Sequence, residues 1–280
     1  MLEAVAASSV GLVRTQNQDS WGIYQPNGSG PAKAVRRQPA RLPVPAILAV
    51  ADGMGGARSG DVASRTLIER LPEVLARETT GIDFSDTVAV ESGLADALEQ
   101  LHGVLVALAD SSEAYHGMGS TLSLAWLTQP ERLWIAHVGD SRIYRWRDGL
   151  LEQLTHDHSH VGALVRAGHL SDSEARTHPK RSVLQQAMGA SETIDPQVLA
   201  TDVRVGDRFL LCSDGVTDGL TDRDLKDLLQ LEIMGKAPFA DCAQLLVDEA
   251  DRLGGRDNAT AVLARILPDT AGGLLNRLRR

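Results

Sequence analysis

The stretch Ala46-Ile-Leu-Ala-Val-Ala-Asp-Gly-Met-Gly-Gly56 decides the fold. Its apolar run ends at Ala51, and Asp52 follows at once, among glycines that free the backbone. This spacing predicts a buried-type strand, Ile47 to Ala51, holding a carboxylate rigidly at its exit. The pattern recurs at Arg208 to Ser213, followed by Asp214-Gly215. Asp19 and Asp257 instead precede the strands predicted at Trp21 to Tyr24 and Ala259 to Ile266. In an antiparallel sheet the exit of one strand and the entrance of its neighbour share an edge, so these four acids converge at one rim. Asp140 joins them, just past the strand predicted at Leu133 to Val138.

Working outward, Thr121 to Trp126 and Arg142 to Trp146 are further predicted strands. Asp148-Gly149, whose residues tolerate positive φ, predicts a tight hairpin to Leu150 to Leu154. Leu94, Leu98, Leu101, Leu105 and Leu108 share one face of a helix, as do Ala63, Leu67, Leu71 and Leu75 in a helix over Asp61 to Leu75. The two predict a helical pair that covers a sheet. A third helix is expected near Ala240 to Leu253.

The chain has 280 residues, 43% of them hydrophobic, enough for one large core or two modest domains. A formal net charge of −9 and an aromatic share of 4% argue against general nucleic-acid binding. Val44 to Ala51 is the longest apolar stretch, far below the roughly 20 residues of a membrane span. Glu3 stands where a secretory leader carries Lys or Arg, and Cys212 and Cys242 are too few for a disulfide framework. The expectation is a cytoplasmic protein with no membrane span.

Carboxylates gathered without compensation repel one another, so the arrangement needs cations. Oxygen-only ligation selects hard divalent ions such as Mg²⁺ or Mn²⁺ over zinc. Any single Asp-Gly pair is more often a turn. As a set, with buried-type strands behind Asp52 and Asp214, they read as a metal site.

The series Arg14-Thr-Gln-Asn-Gln-Asp19, Asp52-Gly-Met-Gly-Gly56 with Gly60 and Ala63-Ser64, Gly117-Met-Gly-Ser-Thr-Leu122, Gly139-Asp-Ser-Arg142, Ser213-Asp-Gly215 and Asp257-Asn-Ala-Thr260 resembles the bacterial metal-dependent protein phosphatases of type 2C, the PPM family. The resemblance runs from about Ala4 to Ile266. It implies an α+β fold, an antiparallel β-sandwich flanked by helices on both faces (four layers, αββα), with a binuclear Mn²⁺ or Mg²⁺ centre at one end. It implies a catalytic domain over 1–267, with a flap at 156–190 and a tail at 268–280. By motif match Asp52 would bridge two metals, the Gly53 carbonyl would ligate one of them, and Asp214 and Asp257 would complete the other. Asp19 would hold metal-bound water, and Asp140 with Asp214 would bind a third, weaker ion. Arg14 would bind the substrate phosphate, and a metal-bridged hydroxide would attack phosphorus. The implied activity is hydrolysis of phosphoserine and phosphothreonine in proteins, opposing a bacterial Ser/Thr kinase, by a monomer.

Gln18 stands where the family usually has Glu, which predicts weaker affinity for one ion. Met54 occupies the place of a histidine found in eukaryotic relatives. His156, His158 and His160 alternate as zinc ligands could on a strand, but Val161, Leu164 and Val165 begin helical spacing at once, so a structural or surface role is expected. Ser171-Asp-Ser-Glu174 predicts a capping box. Gln25 to Pro45 holds five of the eleven prolines and no acid, and is expected to be a flexible basic loop, roughly 17 to 20 Å from the metals. The basic end of the tail, Leu274 to Arg280, is expected to fray. Two other functions compete: a weakly active or inactive phosphoprotein-binding pseudophosphatase, and a two-metal nuclease or other phosphoesterase.

Overall fold

The side chains of Ala46 to Val50 alternate between two cores, which places this run at the centre of a sheet buried on both faces. Ile47, Ala49 and Ala51 pack with helices, whereas Ala46, Leu48 and Val50 pack against a second sheet. The computed structural model describes residues 1–27, 30–35, 38–55 and 59–268.

In chain order the strands begin with β1 (Leu2–Ser9), β2 (Asp19–Asn27), β3 (Gly30–Ala34), β4 (Ala40–Leu42) and β5 (Ala46–Met54). Helices α1 (Gly60–Glu78) and α2 (Thr87–Asp110) follow. Next come β6 (Gly119–Ser120), β7 (Leu122–Gln129), β8 (Arg132–Val138), β9 (Arg142–Arg147) and β10 (Leu150–Gln153). Short helices α3 (His160–Arg166) and α4 (Asp172–Thr177) precede β11 (Gln197–Asp202) and β12 (Arg208–Cys212). The chain continues through α5 (Asp214–Gly219), α6 (Asp222–Ile233) and α7 (Cys242–Leu253) to β13 (Ala259–Ile266).

One sheet has the order β10-β9-β12-β13-β1-β4, the other β11-β8-β7-β5-β2-β3, with β6 beside the end of β5. The pairings are antiparallel, as expected. Leu48, Val50, Ile135, Leu211 and Val262 fill the space between the sheets. Leu67, Leu71, Leu94, Leu98 and Leu101 cover the outer face of the second sheet, and Val216, Leu225, Leu246 and Val247 that of the first. The result is the four-layer αββα sandwich. Hairpin geometry at Asp148 (φ 51°) and Gly149 (φ 83°) joins β9 to β10 as expected. The capping box at Ser171 and Glu174 opens α4.

Gln25 to Pro45 departs from expectation. Its described part contributes β3, on the edge of one sheet, and β4, on the edge of the other. An edge strand needs one partner only, so Pro31 and its missing N–H are tolerated there. Residues 28, 29, 36 and 37 of this segment lie outside the described residues, as do Gly56 of the Asp52 motif and the tail from 269. β1, β11 and α6 were also absent from the sequence-based expectation. No described helix is long and apolar enough to cross a membrane.

Candidate metal centre

Antiparallel pairing sets Asp19 directly opposite Asp52, on β2 and β5. The Asp52 backbone is fixed on both sides. Its N–H donates to Thr121 Oγ1 at 2.9 Å, and its carbonyl accepts from Thr121 N at 2.8 Å and Ser120 Oγ at 2.9 Å. Gly53 follows, its N–H donating to the Gln18 carbonyl at 3.1 Å. A Cβ at Gly53 would run into the Gly60 carbonyl at the start of α1, so only glycine permits this close approach. Ser64 of α1 also donates to the Gln18 carbonyl, at 2.6 Å. Gln18 is thus positioned by its backbone, while its side chain lies against Gly60.

Ser213 links the next group. Its hydroxyl donates to Asp19 Oδ2 at 2.7 Å and accepts from Thr260 N at 2.9 Å, joining the ends of β2, β12 and β13 just where Asp214 opens α5. Asp257 Oδ2 accepts from Arg14 Nη2 at 2.7 Å. Next to it, buried Asn258 donates to the carbonyls of Val10 and Gln16, both at 2.9 Å, and accepts from Gln18 N at 2.8 Å. One amide thereby fixes both ends of the loop that carries Arg14. Asp140 follows Gly139, whose carbonyl accepts from His158 N at 2.7 Å and lies 3.0 Å from His137 Nε2.

Burial, then the charges of Asp19, Asp214 and Asp140, pushes the Asp52 carboxyl well above the usual carboxylate range. Asp214 is raised likewise by burial, then by Asp140, Asp218 and Asp257. Burial lifts Asp19 to about 6 against the opposing hydrogen bond from Ser213, and lifts Asp140 to about 7 with help from Asp157. Asp52 therefore feels the charge of both Asp19 and Asp214.

Asp19 Oδ1 and Asp214 Oδ1 are buried and accept no hydrogen bond. Clustered carboxylates with unpartnered oxygens, and no sulfur or imidazole among them, fit hard divalent cations. Among the described residues no group of three or more His, Cys, Asp and Glu side chains stands as a ready ion cage; Asp257 is engaged by Arg14.

The sequence-predicted residues therefore fall into a tight group, Asp19, Asp52 and Asp214, and an outer one. Asp140 and Asp257 border the group, Arg14 reaches the rim through its pairing with Asp257, and Gln18 and Gly53 lie behind it. Ser213, Thr121, Asn258 and Asp218 were missed. Asp218 had a legible signal, four residues after Asp214 on one helix face. Ser123 Oγ lies 2.9 Å from His137 Nδ1, so the buried His137 braces Gly139. His160 and His178 only approach ring to ring, at 6.1 Å.

Beside Asp140 and Asp214 opens a cavity of about 540 Å³. Asp157, Arg166, Arg176 and Arg181 supply one wall. Arg142 ties this wall to β9, donating from Nε and Nη2 to Asp157 at 2.9 and 2.8 Å. Arg176 donates to the carbonyls of Thr217, Leu220 and Asp218 at the end of α5.

The family described as Protein phosphatase 2C matches residues 39–264. The serine/threonine phosphatase stp of Listeria monocytogenes is 32% identical over 253 residues, covering 90% of this chain and 91% of that protein. The crystal structure of the Mycobacterium tuberculosis serine/threonine phosphatase PstP/Ppp superposes with a TM-score of 0.76 at 34% identity, covering 95% of this chain and 99% of that one. A structure of the PstP catalytic domain in complex with two manganese ions superposes with a TM-score of 0.73 at 31% identity, covering 96% of this chain and 100% of that one. With a family match that reaches into both sheets and a relative 32% identical over most of its length, the chain belongs to the protein phosphatase 2C family.

Proposed function

We propose that the chain is a Mn²⁺- or Mg²⁺-dependent phosphatase of phosphoserine and phosphothreonine proteins. The observation that carries this reading is the pair of buried, unpartnered carboxylate oxygens, Asp19 Oδ1 and Asp214 Oδ1, beside Asp52. Sequence and structural likeness to named bacterial Ser/Thr phosphatases supports it.

Asp52, the Gly53 carbonyl, Asp214 and Asp257 would hold two ions, with Asp19 and Gln18 behind them and Asp140 available with Asp214 for a third. When bound, the ions supply Lewis acidity, activating water toward phosphorus and offsetting charge on the phosphoryl oxygens. The chain's own residues do the rest. Arg14 leaves Asp257 and presents two N–H groups to the phosphate oxygens, which fixes the group's orientation. Ser213 keeps Asp19 turned inward, and Thr121 and Ser120 keep Asp52 from retreating along β5. Cys212 is not a nucleophile: it is fully buried and its thiol is pushed up to about 12. The segment 156–190, which includes the cavity wall, serves as the flap that meets the protein substrate, and a Ser/Thr kinase is the implied counterpart. We infer a cytoplasmic protein, since both cysteines are free, and a monomer, as the resemblance implies.

Asp214→Asn, assayed with Mn²⁺ on a phosphothreonine peptide, tests the reading. Outer-shell partners of metals are worth about 10–100-fold, so loss of a direct ligand should cost about 100-fold or more. In a thermal melt with EDTA the variant should be at least as stable as wild type, because a repelled buried charge is gone. Mn²⁺ should then raise the wild-type midpoint more than the variant's. Undiminished turnover by Asp214→Asn would exclude the proposed role.

A further inference from the structure

Eleven large apolar side chains stand exposed among the described residues, and four of them, Val10, Leu12, Val13 and Leu253, sit on two segments that meet. The junction is the hydrogen bond from Leu12 N to the Gly255 carbonyl at 2.7 Å. Leu12 is 74% and Val13 68% exposed, and Arg14 comes next in the chain.

This exposure does not come from a slack loop. Asn258 holds the carbonyls of Val10 and Gln16, and Gly11 N donates to Ser9 Oγ at 3.0 Å. Gly11 (φ +76°) and Gly255 (φ +57°) adopt left-handed turns that L side chains disfavour. The Leu12 side chain lies so close over Gly255 that a Cβ there would meet it at 2.8 Å. Apolar groups held rigidly in water at the rim of a binding site are a recognition surface more often than scattered exposure is.

We propose that Leu12 and Val13 form an apolar lip that receives an apolar side chain of the phosphoprotein, one or two residues from the phosphorylated Ser or Thr. The proposal rests on the phosphatase reading, with Arg14 at the phosphate. Leu12 and Val13 are two and one residues from Arg14, at most about 7 Å of chain. An extended substrate covers the same distance between its phosphoresidue and the neighbouring positions. The lip is neutral and apolar, so it favours Leu, Val or Ile there over Ser or an acid.

The test compares kcat/KM, with Mn²⁺, for phosphothreonine peptides bearing Leu or Val at the flanking positions and for the same peptides bearing Ser. Wild type should prefer the apolar flank by about tenfold, the worth of roughly 60 Å² of apolar surface withdrawn from water. The preference should lie in KM, because the contact is equal in ground and transition states. In the double variant L12S/V13S the ratio should fall to about one. Val13→Thr, which keeps the branched shape and adds a hydroxyl, should lower it in part and covers the case of a poorly folded double variant. A wild-type ratio near one, or a double variant that keeps the preference, overturns the lip. So does a wild-type dimer in sedimentation that L12S/V13S abolishes, since a second copy then covers the patch. Absence of Mn²⁺-dependent turnover of p-nitrophenyl phosphate would remove the phosphatase reading itself, whereas turnover without preference removes only the lip.

Discussion

Arg14 Nη2 donates to Asp257 Oδ2 at 2.7 Å, across 243 residues of sequence. The two residues carry opposite assignments, one to phosphate and one to a metal ion, yet each engages the other. The hydrogen bond and charge of Asp257 hold the Arg14 guanidinium above its ordinary value, with smaller help from Asp214 and Asp52. A cation arriving at Asp257 must therefore compete with Arg14.

Arg14→Gln should bind Mn²⁺ more tightly while turning over phosphopeptide more slowly. The pair is half-exposed, with side-chain accessibilities of 52% and 35%, so its removal is worth about 0.2–1 kcal/mol, or up to about fivefold in affinity. Isothermal titration measures the first effect without any assay of activity. Weaker Mn²⁺ binding by Arg14→Gln would show that the guanidinium does not compete for Asp257.

The rim was legible because pairing geometry is strict. Once Ile47 to Ala51 and Trp21 to Tyr24 were read as neighbouring antiparallel strands, Asp52 and Asp19 had to face one another, and they do. Of the strands that escaped, three have sequences or settings that mislead. β1 has three alanines among its eight residues and carries Glu3, β3 contains Pro31, and β11 is only partly buried along its length. Helix α6 escaped although Thr221 and Asp224 form a capping box like the one seen at Ser171. The supports of the site were harder still. Nothing local in Asn258 or Ser213 reveals partners 240 or 194 residues away, because those bonds exist only once β2, β12 and β13 end together.

Gln18 offers a sharper test of the metal centre. Its carbonyl is fixed by Gly53 N and Ser64 Oγ, so exchanging the side-chain amide for a carboxylate leaves the backbone frame in place. Gln18→Glu adds one negative charge behind the aspartates without changing shape. With an ion present this charge is attracted to it, and with EDTA it adds to the existing repulsion. Gln18→Glu should therefore bind Mn²⁺ more tightly by about 10-fold, lower the Mn²⁺ concentration for half-maximal turnover, and melt earlier than wild type in EDTA. An unchanged Mn²⁺ titration would place Gln18 outside the ion's environment.

Glu3 gives the pH dependence. It lies on β1, only 2% exposed, between Arg41 Nε at 2.7 Å and Arg265 Nε at 2.8 Å. Burial pushes its carboxyl up, but the hydrogen bonds and charges of the two arginines outweigh burial and hold it below the usual glutamate value of 4.5. A lowered folded pKa means that the unfolded chain takes up the proton first as pH falls. The stability Glu3 supplies is thus fully present above about pH 4.5 and is lost as pH drops through the lower folded value. Arg41 is 67% exposed and Arg265 25%, so water screens much of the pairing, and Glu3→Gln should cost about 1–2 kcal/mol at pH 7. Urea unfolding at pH 7, 5, 4 and 3 should show a constant gap between wild type and variant down to pH 5, then a narrowing one. A gap that holds or widens at pH 3 would mean that the two arginines do not set the ionisation of Glu3, and that β1 tolerates the buried charge for another reason.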